Sequence, residues 1–165
     1  MFAKFKSLEI DKRSIALEYI EDITDYFCYP TNARAIGFEG CIMYCFIEGY
    51  GDMVFASNPE TCADTCVYPL ANSFEDFLSM VVQCGSANPI EQVVWMNKER
   101  FLQHLDEESK LQSDSQRKAI HVLQEVYQLT PIQDIYEYVK EIQANFDPSR
   151  IKYSDEYYDV LGIER

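Results

Sequence analysis

Residues 40–71 constrain the fold more than any other part of the chain. They read Gly-Cys-Ile-Met-Tyr-Cys-Phe-Ile, then Glu-Gly-Tyr-Gly-Asp, then Met-Val-Phe-Ala, a polar loop, and Cys-Val-Tyr-Pro-Leu-Ala. Two apolar, aromatic and β-branched runs around a two-glycine turn predict an antiparallel hairpin. Strands are expected over residues 41–47, 53–56 and 66–70. The first is almost continuously apolar, as in a strand covered on both faces. Asn58-Pro59-Glu60-Thr61 reads as a turn, and Pro69 favours an edge strand or a strand end. The preceding Ala33–Glu39 reads as a link into the sheet.

Helical patterns surround this core. Ala16, Tyr19, Ile20, Ile23, Tyr26 and Phe27 recur at helical spacing, with Ser14 as a cap; a strand over 26–29 is the alternative. Residues 6–14 are polar and read as irregular, and Pro30-Thr31-Asn32 ends the pattern. Ser73 reads as an N-cap, with Glu75 and Asp76 where the helix dipole favours acids. Phe74, Phe77, Leu78 and Val81 form that helix's inward stripe, and Gly85 its stop. Residues 90–96 form a short helix or turn carrying Trp95, the only tryptophan. Asn97 caps the next helix, with Phe101, Leu102 and Leu105 facing inward.

After a polar connection over 112–116, Ala119, Ile120, Leu123, Val126 and Tyr127 make another stripe. Thr130-Pro131-Ile132-Gln133 fits a capping box with proline at the first helical position. Ile132, Ile135, Tyr136, Val139 and Ile142 then face inward, giving an antiparallel helix pair. The tail holds Tyr153, Tyr157, Tyr158, Val160 and Leu161, enough apolar surface to dock back on the body. The expected fold is α+β: one domain over 1–165, with an antiparallel sheet, helices packed against it, and residues 112–165 as a docked helical extension. At 165 residues such a domain can bury a core without staples.

Charge narrows the partners. With 28 acids against 14 bases the net charge is −14. That argues against nucleic acid and anionic membrane surfaces, both of which need clustered Lys and Arg, and suits a basic protein partner. No signal peptide and no run of ~18 apolar residues is visible, so the expected location is cytoplasmic and the six cysteines reduced. From Ala35 through Asn97 there is no Lys, Arg or His, while eight acids occur: Glu39, Glu48, Asp52, Glu60, Asp64, Glu75, Asp76 and Glu91. A one-signed face steers a basic partner. Glu39, Glu48, Asp52, Glu60 and Asp64 are the candidate partner-binding residues; Glu75 and Asp76 have a capping explanation.

Catalytic signatures are weak. Cys41 and Cys45 are four apart, as are Cys62 and Cys66, which suggests a four-thiolate zinc site. On a strand, however, residues four apart lie roughly 13 Å from one another, too far for one ion. No metal and no cofactor is therefore expected. Cys62 and Cys66 lie in or near a loop where a reactive thiol could work, but only two histidines exist to activate one. His121 falls on the polar side of its helix and His104 at the border of its stripe. There is no Gly-x-Ser-x-Gly, P-loop or dinucleotide fingerprint.

The segment 40–56, then Val67-Tyr-Pro-Leu-Ala with Ser73-Phe-Glu-Asp-Phe-Leu, resembles the SUKH superfamily. This group includes the yeast glucan-synthesis regulator and many bacterial toxin-immunity proteins. The likeness runs from about 30 to 105 and takes in the tail Tyr153-Ser-Asp-Glu-Tyr-Tyr-Asp-Val-Leu-Gly. The departure is N-terminal, where the family has a longer amphipathic helix and Cys28-Tyr29-Pro30 is a loose counterpart of its proline step. The resemblance implies an α+β fold and a binding role, such as an immunity protein blocking a toxin, often a nuclease. It supplies no catalytic residues. The expected function is thus a non-enzymatic protein-binding module acting through an acidic face. The alternatives are a small thiol-dependent enzyme using Cys62 or Cys66, or a scaffold or regulatory protein.

Overall fold

The apolar runs form a four-stranded antiparallel sheet in the computed structural model, which describes residues 1–164. Its strands are β1 (Ala33–Glu39), β2 (Ile42–Ile47), β3 (Val54–Ser57) and β4 (Val67–Ala71), in spatial order β1-β2-β3-β4. Register is set by Ala33 opposite Ile47, Met43 opposite Ser57, and Ser57 opposite Val67. Pro69 lies on an edge strand, where its missing N–H costs no ladder bond on the open side.

Strand alternation divides the apolar side chains between two faces. Tyr44, Phe46, Val54, Ala56, Tyr68 and Leu70 join the larger core. Met43, Cys45, Ile47, Phe55 and Val67 join a second core on the opposite face. Helices cover the first face. They are α1 (Phe2–Lys6), α2 (Phe74–Cys84), α3 (Asn88–Gln92), α4 (Lys98–Leu111), α5 (Asp114–Val126) and α6 (Ile135–Ala144), and a last helix, α7 (Asp155–Leu161), lies in the tail. The fold is α+β, with helices packed on the sheet.

The second face is covered differently. Cys28, Tyr29 and Ile151 close it, with Phe27, Phe146, Tyr153 and Tyr157 packed around them. These come from the irregular chain before β1 and from the tail. Asn32 ties the two together: its Nδ2 donates to the carbonyls of Glu48 and Arg150, each at 3.1 Å, and its Oδ1 accepts from the Lys152 N–H at 3.1 Å. The tail therefore docks through Ile151 and Tyr153, while Val160 and Leu161 stay exposed.

Several helix signals act as expected. Ser73 accepts from the Asp76 N–H at 3.0 Å, Asn97 from Arg100 at 2.9 Å, and Gly85 ends α2 at φ 87°. Others do not. The expected helix over 16–27 is absent. Asp11, rather than Ser14, caps a 3-10 turn over Lys12–Ile15, Ala16 takes φ 60°, and Glu18 leaves to pair with Phe38. The helical spacing thus described a strap whose Tyr19 is 68% exposed and Ile23 42%. The chain starts with α1, a helix not expected from the sequence, and its Phe2 and Phe5 pack edge-on against Phe74.

The link into the sheet is itself β1, an additional strand. Its Gly37 is required by a close approach: a Cβ there would lie 2.6 Å from the Leu17 carbonyl oxygen. The capping box at Thr130 is also overruled. Gln83 donates to the Ile132 carbonyl at 2.9 Å and accepts from its N–H at 2.8 Å, and Ser79 donates to the Thr130 carbonyl at 2.7 Å. That backbone is held extended by α2, and the following helix starts with Asp134 as its cap. Packing of α5 is chiefly on α2 and the 3-10 turn, and of α6 on β4 and α3, so the two have different principal neighbours. No described helix is long and apolar enough to cross a membrane.

Candidate protein-binding site

The five candidate acids fall at opposite ends of the sheet. The antiparallel order puts the β1–β2 turn and the β3–β4 loop at one end, and the β2–β3 turn at the other. Glu39, Glu60 and Asp64 therefore belong to one pole, Glu48 and Asp52 to the other. At the second pole the charge is tempered. Asp52 shares a surface hollow with Lys6 and Arg34, and Arg150 donates to the Gly49 carbonyl beside Glu48 at 2.6 Å.

The first pole is built on a polar network between sheet and α3. Glu39, at the end of β1, accepts from Asn88 Nδ2 at 3.1 and 3.0 Å and from the Tyr44 hydroxyl at 3.3 Å. Glu91 of α3 is only 2% exposed. Its Oε1 accepts from Asn58 Nδ2 at 2.9 Å and from the Tyr68 hydroxyl in a short bond. Asn58 in turn shapes the β3–β4 loop, its Oδ1 accepting from the Glu60 N–H at 2.9 Å. Sequence reading placed Glu91 in the short apolar segment over 90–96 and so gave it no role of its own. The one available signal was its place in a stretch without bases.

Both carboxylates are thus held by neutral donors. Burial pushes the Glu39 carboxyl above its ordinary range, and the nearby charges of Glu91 and Glu108 add to the push. Burial also raises Cys41, with Glu60 contributing. The Tyr44 and Tyr68 hydroxyls are raised first by burial and then by the adjacent carboxylates, so they remain donors. Glu60 and Asp64 stand exposed above this network. None of the eight acids of the base-free stretch takes part in a salt bridge among the described residues. The ion pairs occur elsewhere, as between Lys98 and Asp134 at 2.6 Å.

The thiols present no catalytic constellation among the described residues. Burial pushes Cys28 up to about 11 and Cys84 to about 12, and raises Cys45 and Cys66 as well. Cys62 is exposed and Cys66 half-buried, and no hydrogen bond joins either to a histidine. His121 faces Glu125 at 3.4 Å on the surface of α5, and His104 has Nε2 buried without a hydrogen-bond partner. No group of three or more His, Cys, Asp or Glu among the described residues is arranged to hold a metal ion. Comparison with family models, curated proteins and solved structures found no match.

Proposed function

We propose that the chain is a non-enzymatic protein-binding module. Following the resemblance of its sheet and α2 to the SUKH superfamily, we read it as a cytoplasmic immunity protein that neutralises a basic, nuclease-type toxin domain. The observation that carries this reading is the set of eight acids, none in a salt bridge among the described residues, in a stretch with no base. Charges already paired at home steer little. Unpaired ones act over a Debye length, about 8 Å at physiological salt. Nuclease sites are basic because they hold phosphates, so an acidic inhibitor is complementary to them.

Glu60 and Asp64 supply the exposed charge of the binding pole. Glu91 lies behind them and fixes the loop through Asn58, and Glu39 is held beside it by Asn88 and Tyr44. The test is co-expression with a toxin domain encoded beside this chain. Wild type should rescue growth and bind the purified toxin domain. A Glu60→Lys/Asp64→Lys double variant with an unchanged melting temperature should bind it about tenfold more weakly or worse. Unchanged affinity in that variant would remove this pole from the interface. The thiol alternative uses Cys62 or Cys66, and a Cys62→Ser/Cys66→Ser variant with full binding and rescue argues against it.

A further inference from the structure

The outer edge of β1 is partly open. Glu18 closes one end, its N–H and carbonyl both bonded to Phe38 at 2.9 and 2.8 Å. From Ala33 to Ile36, about 13 Å of strand, no described segment pairs with that edge. The Glu48 N–H bonds the Asn32 carbonyl toward β2, so the antiparallel alternation turns the N–H and carbonyl of Ala35 outward. Unpaired strand edges are templates for another strand.

Two hollows flank the open edge, one on each face of the sheet, and Ala35 walls both. On the second-core face a cleft of about 500 Å³ is lined by Ile23, Tyr26, Tyr29 and Met43, with Asp25 and Glu156. Both acids are exposed and neither joins a salt bridge among the described residues. No Lys or Arg among the described residues lines this cleft. On the helical face a smaller hollow of about 200 Å³ is lined by Phe2, Phe5, Tyr19 and Ile36, with Lys6 and Lys12. The two sides thus carry opposite charge, and Arg34, whose guanidinium lies 4.8 Å from the Phe46 ring centre, adds to the positive side.

We propose that the edge of β1 accepts an extended segment of a protein partner whose side chains alternate between basic and apolar. The basic ones enter the tyrosine-lined cleft between Asp25 and Glu156, where ring faces and carboxylates both favour a cation. The apolar ones enter the hollow over Phe2, Phe5 and Ile36. The lysines there reject a basic side chain, which fixes the phase of the alternation. This rests on the reading of a basic protein partner and adds the element by which that partner docks.

The test uses the full chain, ¹⁵N-labelled, and the probe acetyl-Lys-Val-Lys-Val-Lys-Val-Lys-amide. The expected result is saturable shifts centred on Ala35 and Tyr26, with slowed exchange of the Ala35 amide. An isomer of the same composition with like residues blocked together should bind about tenfold more weakly, as should the probe on an Asp25→Lys/Glu156→Lys variant. Both positions are exposed, so that variant should fold. Equal binding of the two peptides would overturn the alternation and the proposal. Shifts confined to Cys41, Glu60 and Asp64 would also overturn it while leaving the acidic-binder reading standing. A concentration-dependent dimer in sedimentation, with Ala35 protected before peptide is added, would assign the edge to a second copy and overturn it as well.

Discussion

Glu39 shows how a single carboxylate reports on the polar end of the sheet. It is half-buried and held by Asn88 and Tyr44, and its pKa is raised chiefly by burial. The folded chain therefore keeps this proton to a higher pH than the unfolded chain. Its contribution to stability is complete below the ordinary glutamate range and is lost as pH rises through the raised value. Glu39→Gln is neutral at every pH. Its melting temperature relative to wild type should rise as pH goes from acid to neutral. A difference that stays flat would mean that Glu39 titrates as it does in the unfolded chain. Gly37 makes a second point of this kind. Gly37→Ala places a methyl against the Leu17 backbone. It should cost about 1–3 kcal/mol in urea unfolding, the ordinary penalty of forced overpacking, with exchange of the Glu18 amide accelerated.

Among the helices, α2 packs on β4, α3 and α5. Its inner stripe fills the larger core, and its outer Gln83 acts as a strand partner for Ile132. Gln83→Ala removes both bonds and should cost about 1–2 kcal/mol by thermal or urea unfolding. An unchanged midpoint would show that water replaces them without loss. The same contact explains what was legible beforehand. Strands β2 to β4 and helices α2 and α4 carry local signals, namely β-branched runs, a glycine stop and Ser or Asn caps, and these act where they stand. The failures are places where a distant partner decides. Thr130 has a good capping sequence, but Ser79 and Gln83, some fifty residues earlier in the chain, already hold its backbone. β1 has weak strand propensity because Ala33, Ala35 and Gly37 are small, and Gly37 is small because Leu17 crosses it. Tyr19, Ile23 and Tyr26 repeat at helical spacing, yet Ala16 and the bond from Glu18 to Phe38 lead that segment away as a strap. For the site, the missing bases between Ala35 and Asn97 were visible in the sequence. Which of the acids share a pole depended on strand order, and Glu91 required the third dimension.

The molecule is a sheet closed on one face by helices and on the other by the irregular chain before β1 and the tail with α7, and its charge is as unevenly laid out as its layers. All 14 Lys and Arg residues lie outside residues 35–97, and every salt bridge among the described residues joins partners outside that range. The layering predicts thiol behaviour. Cys62 should react with an alkylating reagent within the dead time of hand mixing, and Cys28, Cys45 and Cys84 only at the rate of unfolding. Rapid labelling of Cys66 at neutral pH would instead favour thiol chemistry.

The charge layout predicts how the molecule meets its partner. If the chain is the proposed immunity protein, stopped-flow association with its basic toxin domain should give a rate constant that falls steeply as salt is raised, while dissociation changes little. In the Glu60→Lys/Asp64→Lys variant that salt dependence should be much reduced. An association rate indifferent to salt, or one that keeps its full salt dependence in the variant, would contradict an acidic pole that exists to draw in a basic protein.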